Sequence, residues 1–148
     1  MGTHYPGSKK EVAALNAYIK LVRATEKLVV KINSNLAKSG ITERQFAVLE
    51  ALFFCGPLYQ RDLAKKLQKS GGNITLVVDN LEKQKLVSRK KNSADRRFYS
   101  ILLTPKGKLL IEKILPEYLQ YIVDEMAVLT SEEQQELDRL CKLLGVRE

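Results

Sequence analysis

Apolar residues between positions 70 and 85 recur at helical spacing. Ile74, Val77, Val78 and Leu81 stand at i, i+3, i+4 and i+7, which is the pattern of a helix with one buried face. Ser70 is a good N-cap residue, so this helix should begin there. The opposite face carries mainly short polar side chains: Thr75, Leu76, Asp79, Asn80 and Lys83. Such side chains on an outward-facing helix suit the reading of base edges in a major groove.

The segments on either side of this helix complete a winged helix-turn-helix pattern. Upstream, 61–67 predicts a supporting helix, and Leu58 predicts a minimal strand that pairs with the wing. Downstream, Leu86, Val87 and 98–103 predict a two-stranded hairpin. Its tip, RKKNSADRR, holds one acid, Asp95, and five basic residues: Arg89, Lys90, Lys91, Arg96 and Arg97. A basic tip beside a helix-turn-helix can reach phosphates or a narrow minor groove.

Long amphipathic helices are predicted at both ends of the chain. Residues 9–39 contain neither proline nor glycine and predict one helix, ended by Gly40. At ~1.5 Å per residue this helix exceeds roughly 40 Å, so we expect it to pack on a partner subunit. A capping box at Thr42 begins the next helix, which Gly56 and Pro57 end. Two further helices are expected, over 106–128 with a kink at Pro116 and after a capping box at Thr130–Glu133.

The predicted fold is mainly α with a small β wing. The expected organisation is an N-terminal dimerisation helix over 1–40, a DNA-binding winged helix-turn-helix over 41–104 and C-terminal dimerisation helices over 105–148. The alternative for the flanking helices is an intramolecular three-helix core. We favour a homodimer because the first helix is long and a reader of palindromic DNA needs two-fold symmetry.

The segments LAKKL, GGNITLVVDNLEKQKLVSR and SADRRFYSILLTPKG resemble the MarR (multiple antibiotic resistance regulator) family of bacterial transcription factors. The most specific part is DRR followed by a strand and LTPKG, and the similarity covers about 41–107. The resemblance implies a homodimeric winged-helix protein, usually a repressor, often released from DNA by a small molecule. By position, the wing arginine is Arg97 and its orienting acid is Asp95. Two positions depart from the family pattern. Several relatives have a basic residue where this chain has Leu76, and the family usually has glycine where this chain has Lys85.

The residues and the resemblance together predict a DNA-binding surface on the helix, its support and the wing. Gly72 should bring the helix N-terminus close to the DNA backbone and does not belong to a nucleotide-binding loop, because the G-K-[ST] ending is missing. The predicted set is Lys65, Lys66, Lys69, Ser70, Gly72, Asn73, Thr75, Leu76, Asn80, Lys83, Lys90, Lys91, Asp95, Arg96 and Arg97.

Composition is consistent with this interpretation. The 148 residues carry a net charge of +8, with a pI near 9.5 and 45% apolar residues. No apolar run approaches the ~20 residues needed to cross a bilayer. The start, MGTHYPGSKKE, lacks the apolar core of a signal peptide, so we expect a cytoplasmic, nucleoid-associated protein without membrane contact.

No pattern of catalytic or metal-binding residues is evident. His4 is the single histidine and receives no role, and there is no G-x-S-x-G sequence, so we expect no enzyme activity. Cys55 and Cys141 are far apart, without a C-x-x-C partner, and are expected to be free and buried. Neither a cofactor nor a metal is expected.

The predicted function is a sequence-specific regulator of double-stranded DNA, a ligand-responsive repressor that acts as a homodimer on a pseudo-palindromic site. The resemblance implies a small phenolic, anionic or acyl effector that binds between the DNA-binding lobe and the dimer helices. The candidate lining is aromatic: Tyr18, Phe46, Phe53, Phe54 and Tyr118. The alternative for most of these rings is simple core packing. Two rival functions are an architectural dimer that coats DNA with little sequence preference and an adaptor whose winged helix binds a protein.

Overall fold

A computed structural model of the chain describes residues 2–67, 71–95 and 98–145. Within these ranges the chain forms six helices and three short strands. The helices are α1 (Lys9–Ala37), α2 (Glu43–Cys55), α3 (Gln60–Lys66), α4 (Gly71–Lys83), α5 (Pro105–Met126) and α6 (Ser131–Gly145). The strands are β1 (Leu58–Tyr59), β2 (Val87–Lys91) and β3 (Tyr99–Leu103). The predicted winged helix-turn-helix, mainly α with a small wing, is confirmed.

Caps and glycines define the ends of α2 as expected, whereas α1 ends at Ala37 with Lys38 as its C-cap and does not continue to Gly40. The Thr42 side chain accepts from the Gln45 backbone N–H, and the Gln45 side chain accepts from the Thr42 backbone N–H, which confirms the capping box of α2. Gly40 and Gly56 have φ values of 75° and 72° and turn the chain before and after α2. The second predicted capping box, Thr130 with Glu133, is also present.

The sheet has the order β1-β3-β2 and is antiparallel throughout. Leu58 is paired with Ile101, so the predicted minimal strand does join the wing. Strand β2 is longer than expected, because Arg89, Lys90 and Lys91 pair with β3. These three basic residues therefore belong to the strand and not to the hairpin tip.

The hydrophobic core lies in the winged helix-turn-helix. All of its elements except β1 contribute buried side chains, among them Phe46, Leu49, Leu63, Ile74, Val78, Leu81, Val87 and Ile101. The flanking helices add only a few residues to it: Ile32, Leu36, Ile111 and Ile114. None of residues 9–31 of α1 is buried, and none of Ser131–Gly145 of α6 is buried. Most of both helices thus lies outside this core.

A tight junction joins the end of α4 to the start of α5. Lys85, at the family's usual glycine position, has φ 60° and turns the chain into the wing. Thr104 caps α5 by accepting from the Gly107 N–H, and its hydroxyl lies 2.7 Å from the Lys85 carbonyl oxygen, to which it donates. A Cβ atom on Gly107 would lie 2.0 Å from the Leu86 carbonyl oxygen. Only glycine fits this approach of the two backbones.

The prediction that both cysteines are buried is wrong for this chain. Cys55 and Cys141 are free and exposed. Cys55 is the last residue of α2, beyond the buried stripe that includes Leu49 and Leu52, and Cys141 lies on α6. Helical periodicity identified apolar faces, but it did not show which faces this chain covers. Over the described ranges, no helix combines the length and the apolar character that a bilayer crossing requires.

Candidate nucleic-acid interface

Helix α4 has one buried face and one exposed face, as its spacing predicted. Ile74, Val77, Val78 and Leu81 are buried in the core. The exposed positions are Gly72, Thr75, Leu76, Asn80 and Lys83, and Asn73 is half-buried at their edge. Leu76 is 64% exposed and forms an apolar spot among these polar groups. The surface offers hydrogen-bonding groups, methyl groups on Thr75 and Leu76 and a cation, which is the chemistry of base-edge contact.

Helix α3 packs against α4 and carries two exposed lysines. Leu63 and Ala64 are buried, whereas Lys65 and Lys66 are exposed. The Gln60 amide Nε2 donates to the Thr75 hydroxyl oxygen over 2.7 Å, which links the start of α3 to the outer face of α4. The predicted contacts Lys69 and Ser70 lie outside the described residues, as does the predicted Ser70 cap.

The wing presents further basic side chains. Lys90 and Lys91 are exposed on β2, and the hairpin turns at residues 92–95. Asp95 is half-buried in this turn, and its backbone carbonyl accepts from the Phe98 N–H over 3.1 Å. Arg97, the predicted wing arginine, and Arg96, a predicted DNA contact, lie outside the described residues.

Arg89 differs from the other basic residues of the wing because it points back at α4. Its guanidinium donates to Asp79 over 2.5 Å and to Glu82 over 2.9 Å. Only 19% of the Arg89 side chain is exposed. Burial opposes its charge, but the hydrogen bonds to the two carboxylates outweigh this and raise the pKa of Arg89 above its ordinary value. Asp79 was placed on the predicted base-reading face, but its carboxylate is occupied by this ion pair.

A cavity of about 680 Å³ lies against α4. Its walls come from α1, α2, Leu67 and α4: Val29, Asn33, Thr42, Glu43, Arg44, Ala47, Leu67, Asn73, Ile74 and Val77. The backbone N–H of Glu43 donates to the Asn33 side chain over 3.1 Å, so this wall is tied to α1. The cavity borders directly on the predicted DNA-reading helix.

The five aromatic residues predicted to line an effector site do not gather around this cavity. Phe46 is buried and stacks on Tyr118, with 4.0 Å between ring centroids. Phe53 lies beside a smaller cavity near Pro57, whereas Tyr18 and Phe54 are 64% and 66% exposed. Burial raises the pKa of Tyr118, with smaller contributions from Glu43 and Glu50. For Phe46, the alternative of core packing describes the structure better.

Known proteins that are similar to this chain are DNA-binding regulators, in agreement with the exposed face of α4. A profile of the MarR family matches residues 41–98. The chain is 32% identical over 133 residues to the HTH-type transcriptional regulator MhqR of Bacillus subtilis (strain 168), a match that spans 90% of this chain and 92% of MhqR. The chain belongs to the MarR family.

Solved MarR structures resemble this chain closely. One describes how 6-hydroxynicotinic acid regulates DNA binding by BpsR of Bordetella bronchiseptica, with a TM-score of 0.78, 26% identity, and coverage of 86% of this chain and 97% of BpsR. Another is a complex of S. aureus MepR with DNA, with a TM-score of 0.76, 29% identity, and coverage of 86% of this chain and 95% of MepR. This MarR protein is therefore a DNA-binding transcriptional regulator.

Sequence reasoning missed the residues of this MarR domain that hold its parts together. Arg89 was grouped with the tip, although strand alternation puts it on the same side of β2 as the buried Val87. That signal was available in the sequence. The bond between Gln60 and Thr75 joins residues 15 apart and has no local sequence signal.

Proposed function

We propose that this MarR protein is a repressor that binds, as a homodimer, a pseudo-palindromic site in double-stranded DNA. The observation that carries this proposal is the exposed polar face of α4, together with exposed lysines on α3 and β2, the elements that pack against α4. Helix α4 of each subunit lies in a major groove, and Arg97 enters the neighbouring minor groove, where Asp95 orients it. Such a geometry combines base contacts with the narrow-groove arginine contact that DNA shape favours.

Side chains on α4 divide into base contacts and phosphate contacts. Asn80 and Thr75 offer hydrogen bonds to base edges, and Leu76 offers an apolar contact to a thymine methyl group. The phosphate contacts are expected from the cationic side chains Lys65, Lys66, Lys69, Lys83, Lys90, Lys91 and Arg96. Phosphate contacts set position and carry no sequence information, so specificity should depend on the first group.

Homodimerisation is supported by apolar residues that the protomer leaves uncovered. Val30 on α1 is 70% exposed, Leu109 on α5 is 68% exposed and Leu143 on α6 is 62% exposed. A second copy packed on these helices would remove them from water, and two-fold symmetry would present two α4 helices to two half-sites. The division of the chain into 1–40, 41–104 and 105–148 follows from this proposal.

Fluorescence anisotropy with the duplex upstream of this protein's own gene tests the proposal. A scrambled duplex serves as the comparison, and both are measured at two salt concentrations. Tight binding with a preference that survives higher salt supports a sequence-specific regulator. Equal binding to both duplexes, lost together as salt rises, contradicts it and favours the architectural dimer. Little binding to either duplex at moderate salt favours a protein-interaction adaptor.

Three variants separate the proposed contacts. Arg97→Ala should weaken binding about tenfold or more, because a groove contact is lost. Lys66→Ala should weaken binding to all duplexes similarly and lower the slope of log K against log salt by about one. Lys10→Ala is the matched control, because Lys10 lies near the start of α1, roughly 40 Å along that helix from the end that contacts α2. An Arg97→Ala variant that binds like the parent would contradict the wing assignment.

We further propose that a small phenolic, anionic or acyl effector controls DNA binding. The supporting observation is the cavity of about 680 Å³, which α4 itself helps to line. Among the described lining residues, Arg44 supplies a cation, Glu43 an acid, and Asn33, Thr42 and Asn73 neutral polar groups. BpsR, whose DNA binding is regulated by 6-hydroxynicotinic acid, provides a precedent among similar structures. An effector here would contact α1, α2 and α4 together and so bias their relative position.

A thermal-shift and DNA-release assay with 4-hydroxybenzoate and 6-hydroxynicotinic acid tests the effector. Binding should raise the melting temperature and reduce anisotropy of the DNA complex. Ala47→Leu should abolish both effects by filling the cavity, and Lys38→Gln, outside the cavity lining, is the control. Ligand effects that persist in Ala47→Leu would move the effector to another site, such as the predicted aromatic set of Tyr18, Phe46, Phe53, Phe54 and Tyr118.

A further inference from the structure

Four side chains from three segments meet where the wing joins the helix-turn-helix. Tyr59 ends β1 and occupies the N-cap position of α3, Arg61 lies in the first turn of α3, Asn92 follows β2 and Phe98 precedes β3. These residues form the wing mount, the name used below for this group. The mount lies at the base of the wing tip, and Phe98 is the residue that follows Arg97 in the chain.

Asn92 connects the wing turn to Tyr59. Its amide Nδ2 donates to the Tyr59 hydroxyl oxygen over 2.6 Å, while its Oδ1 accepts from the Ala94 backbone N–H over 2.8 Å. The Asn92 backbone N–H donates to the Phe98 carbonyl oxygen over 3.0 Å. One asparagine thus holds the turn, the opposite strand and the start of α3 at the same time.

Aromatic and cationic groups pack on the other side of the mount. The Tyr59 and Phe98 rings meet edge to face, with centroids 6.1 Å apart and an interplanar angle of 62°. The Arg61 guanidinium carbon lies 4.7 Å from the Phe98 centroid and 5.8 Å from the Tyr59 centroid. Phe98 is therefore held by a ring and a cation that both belong to the helix-turn-helix side.

The position of Tyr59 in the chain indicates that its side chain serves the wing and not the stability of α3. Serine, threonine, aspartate and asparagine are favoured as N-cap residues because their side chains bind the free N–H groups of the first turn. Tyr59 makes no side-chain cap hydrogen bond for α3. The chain therefore forgoes a helix cap at this site, and the side chain is directed to the wing.

We infer that Tyr59, Arg61, Asn92 and Phe98 are positioning residues that hold the wing at one angle to α3 and so set the path of Arg97 into DNA. The inference rests on the proposed DNA-binding function. A wing without this mount samples several orientations, and only some of them align with the minor groove when α4 is in the major groove. The apparent affinity for DNA is then the intrinsic affinity multiplied by the fraction of molecules whose wing has the competent orientation.

Tyr59→Phe is the sharpest test because it removes one hydroxyl and keeps the ring for Phe98 and Arg61. Binding to the specific duplex should weaken about three- to tenfold, while the melting temperature stays within about 2 °C of the parent. The slope of log K against log salt should not change, because no charge is removed. Tyr5→Phe is the matched control, since Tyr5 is exposed in the segment before α1 and has no part in the wing mount or in the proposed binding surfaces.

A double-mutant cycle with Arg97→Ala decides whether Tyr59 acts through the wing. If the mount positions Arg97, Tyr59→Phe should have less than a twofold effect once Arg97 is alanine. Equal effects in both backgrounds, or no effect in the parent, overturn the inference and leave the proposed function intact. An Arg97→Ala variant with parental affinity overturns the wing assignment of the proposed function, and the inference with it.

Discussion

Arg89→Met should loosen the wing from α4 without removing a contact to DNA. Arg89 makes two charge-assisted hydrogen bonds, to Asp79 and to Glu82. Such bonds contribute about 1.5–3 kcal/mol each when they are well buried. Here the two carboxylate side chains are 41% and 42% exposed, so solvent screening reduces the contribution of each bond to roughly 1 kcal/mol. Methionine keeps the apolar stem, so we expect the free energy of unfolding to fall by about 2 kcal/mol in all.

Urea unfolding at a fixed protein concentration measures this loss, since the stability of a dimer depends on concentration. DNA affinity should fall in parallel, by about fivefold if half of the lost energy had been used to align the wing with α4. Arg89→Lys is the matched control. It keeps the charge but cannot fork to two carboxylates, so it should recover about half of both effects.

Salt dependence provides the result that would refute this reasoning. The charge of Arg89 is already neutralised by Asp79 and Glu82, so the slope of log K against log salt should change by less than about one half. If Arg89→Met instead lowers the slope by about one and leaves the urea midpoint unchanged, Arg89 is a phosphate contact and not a clamp between wing and helix.

Three further predictions concern the fold around the site. Gly107→Ala should destabilise the protein by about 3 kcal/mol or more, measured by urea unfolding, because its Cβ would meet the Leu86 carbonyl oxygen at 2.0 Å; parental stability would contradict the close approach. Lys85→Gly should raise the free energy of unfolding by about 0.5 kcal/mol, because the strain relieved at a φ of 60° is larger than the free energy that glycine costs through the added entropy of the unfolded chain. A lower free energy of unfolding would mean that the Lys85 side chain is needed. Burial raises the pKa of Tyr118 in the folded state, so the neutral hydroxyl contributes to the free energy of unfolding below pH ~10, and this contribution is lost as the pH rises above that value. The free energy of unfolding of Tyr118→Phe should therefore fall less above pH ~10 than that of the parent. Identical pH profiles for the two proteins would contradict the burial of this hydroxyl.

Periodicity and cap chemistry were sufficient to predict the elements of the fold. The apolar stripe of α4, the capping boxes at Thr42 and Thr130, and the glycine that ends α2 all act between residues within one or two turns of each other. Local interactions of this kind can be predicted from a sequence because the partners are only a few positions apart. The family resemblance was equally local, since it rested on three short segments.

Relations between elements required the tertiary structure. Strand alternation puts Arg89 on the same side of β2 as Val87, but its pairing with Asp79 and Glu82 depends on how β2 packs against α4. The exposure of Cys55 and Cys141 likewise depends on which helix faces other elements cover.

The cavity against α4 and the wing mount also depend on contacts between segments that are far apart in the chain. Tyr59 and Asn92 are 33 residues apart, and their hydrogen bond exists because β1 pairs with β3 and brings the start of α3 to the wing turn. The cavity walls come from segments between Val29 and Val77. The sequence by itself determined which segments fold and which faces are apolar, because those depend on spacing along the chain. The tertiary structure alone decided which side chains meet, because contacts between distant segments depend on how the elements pack.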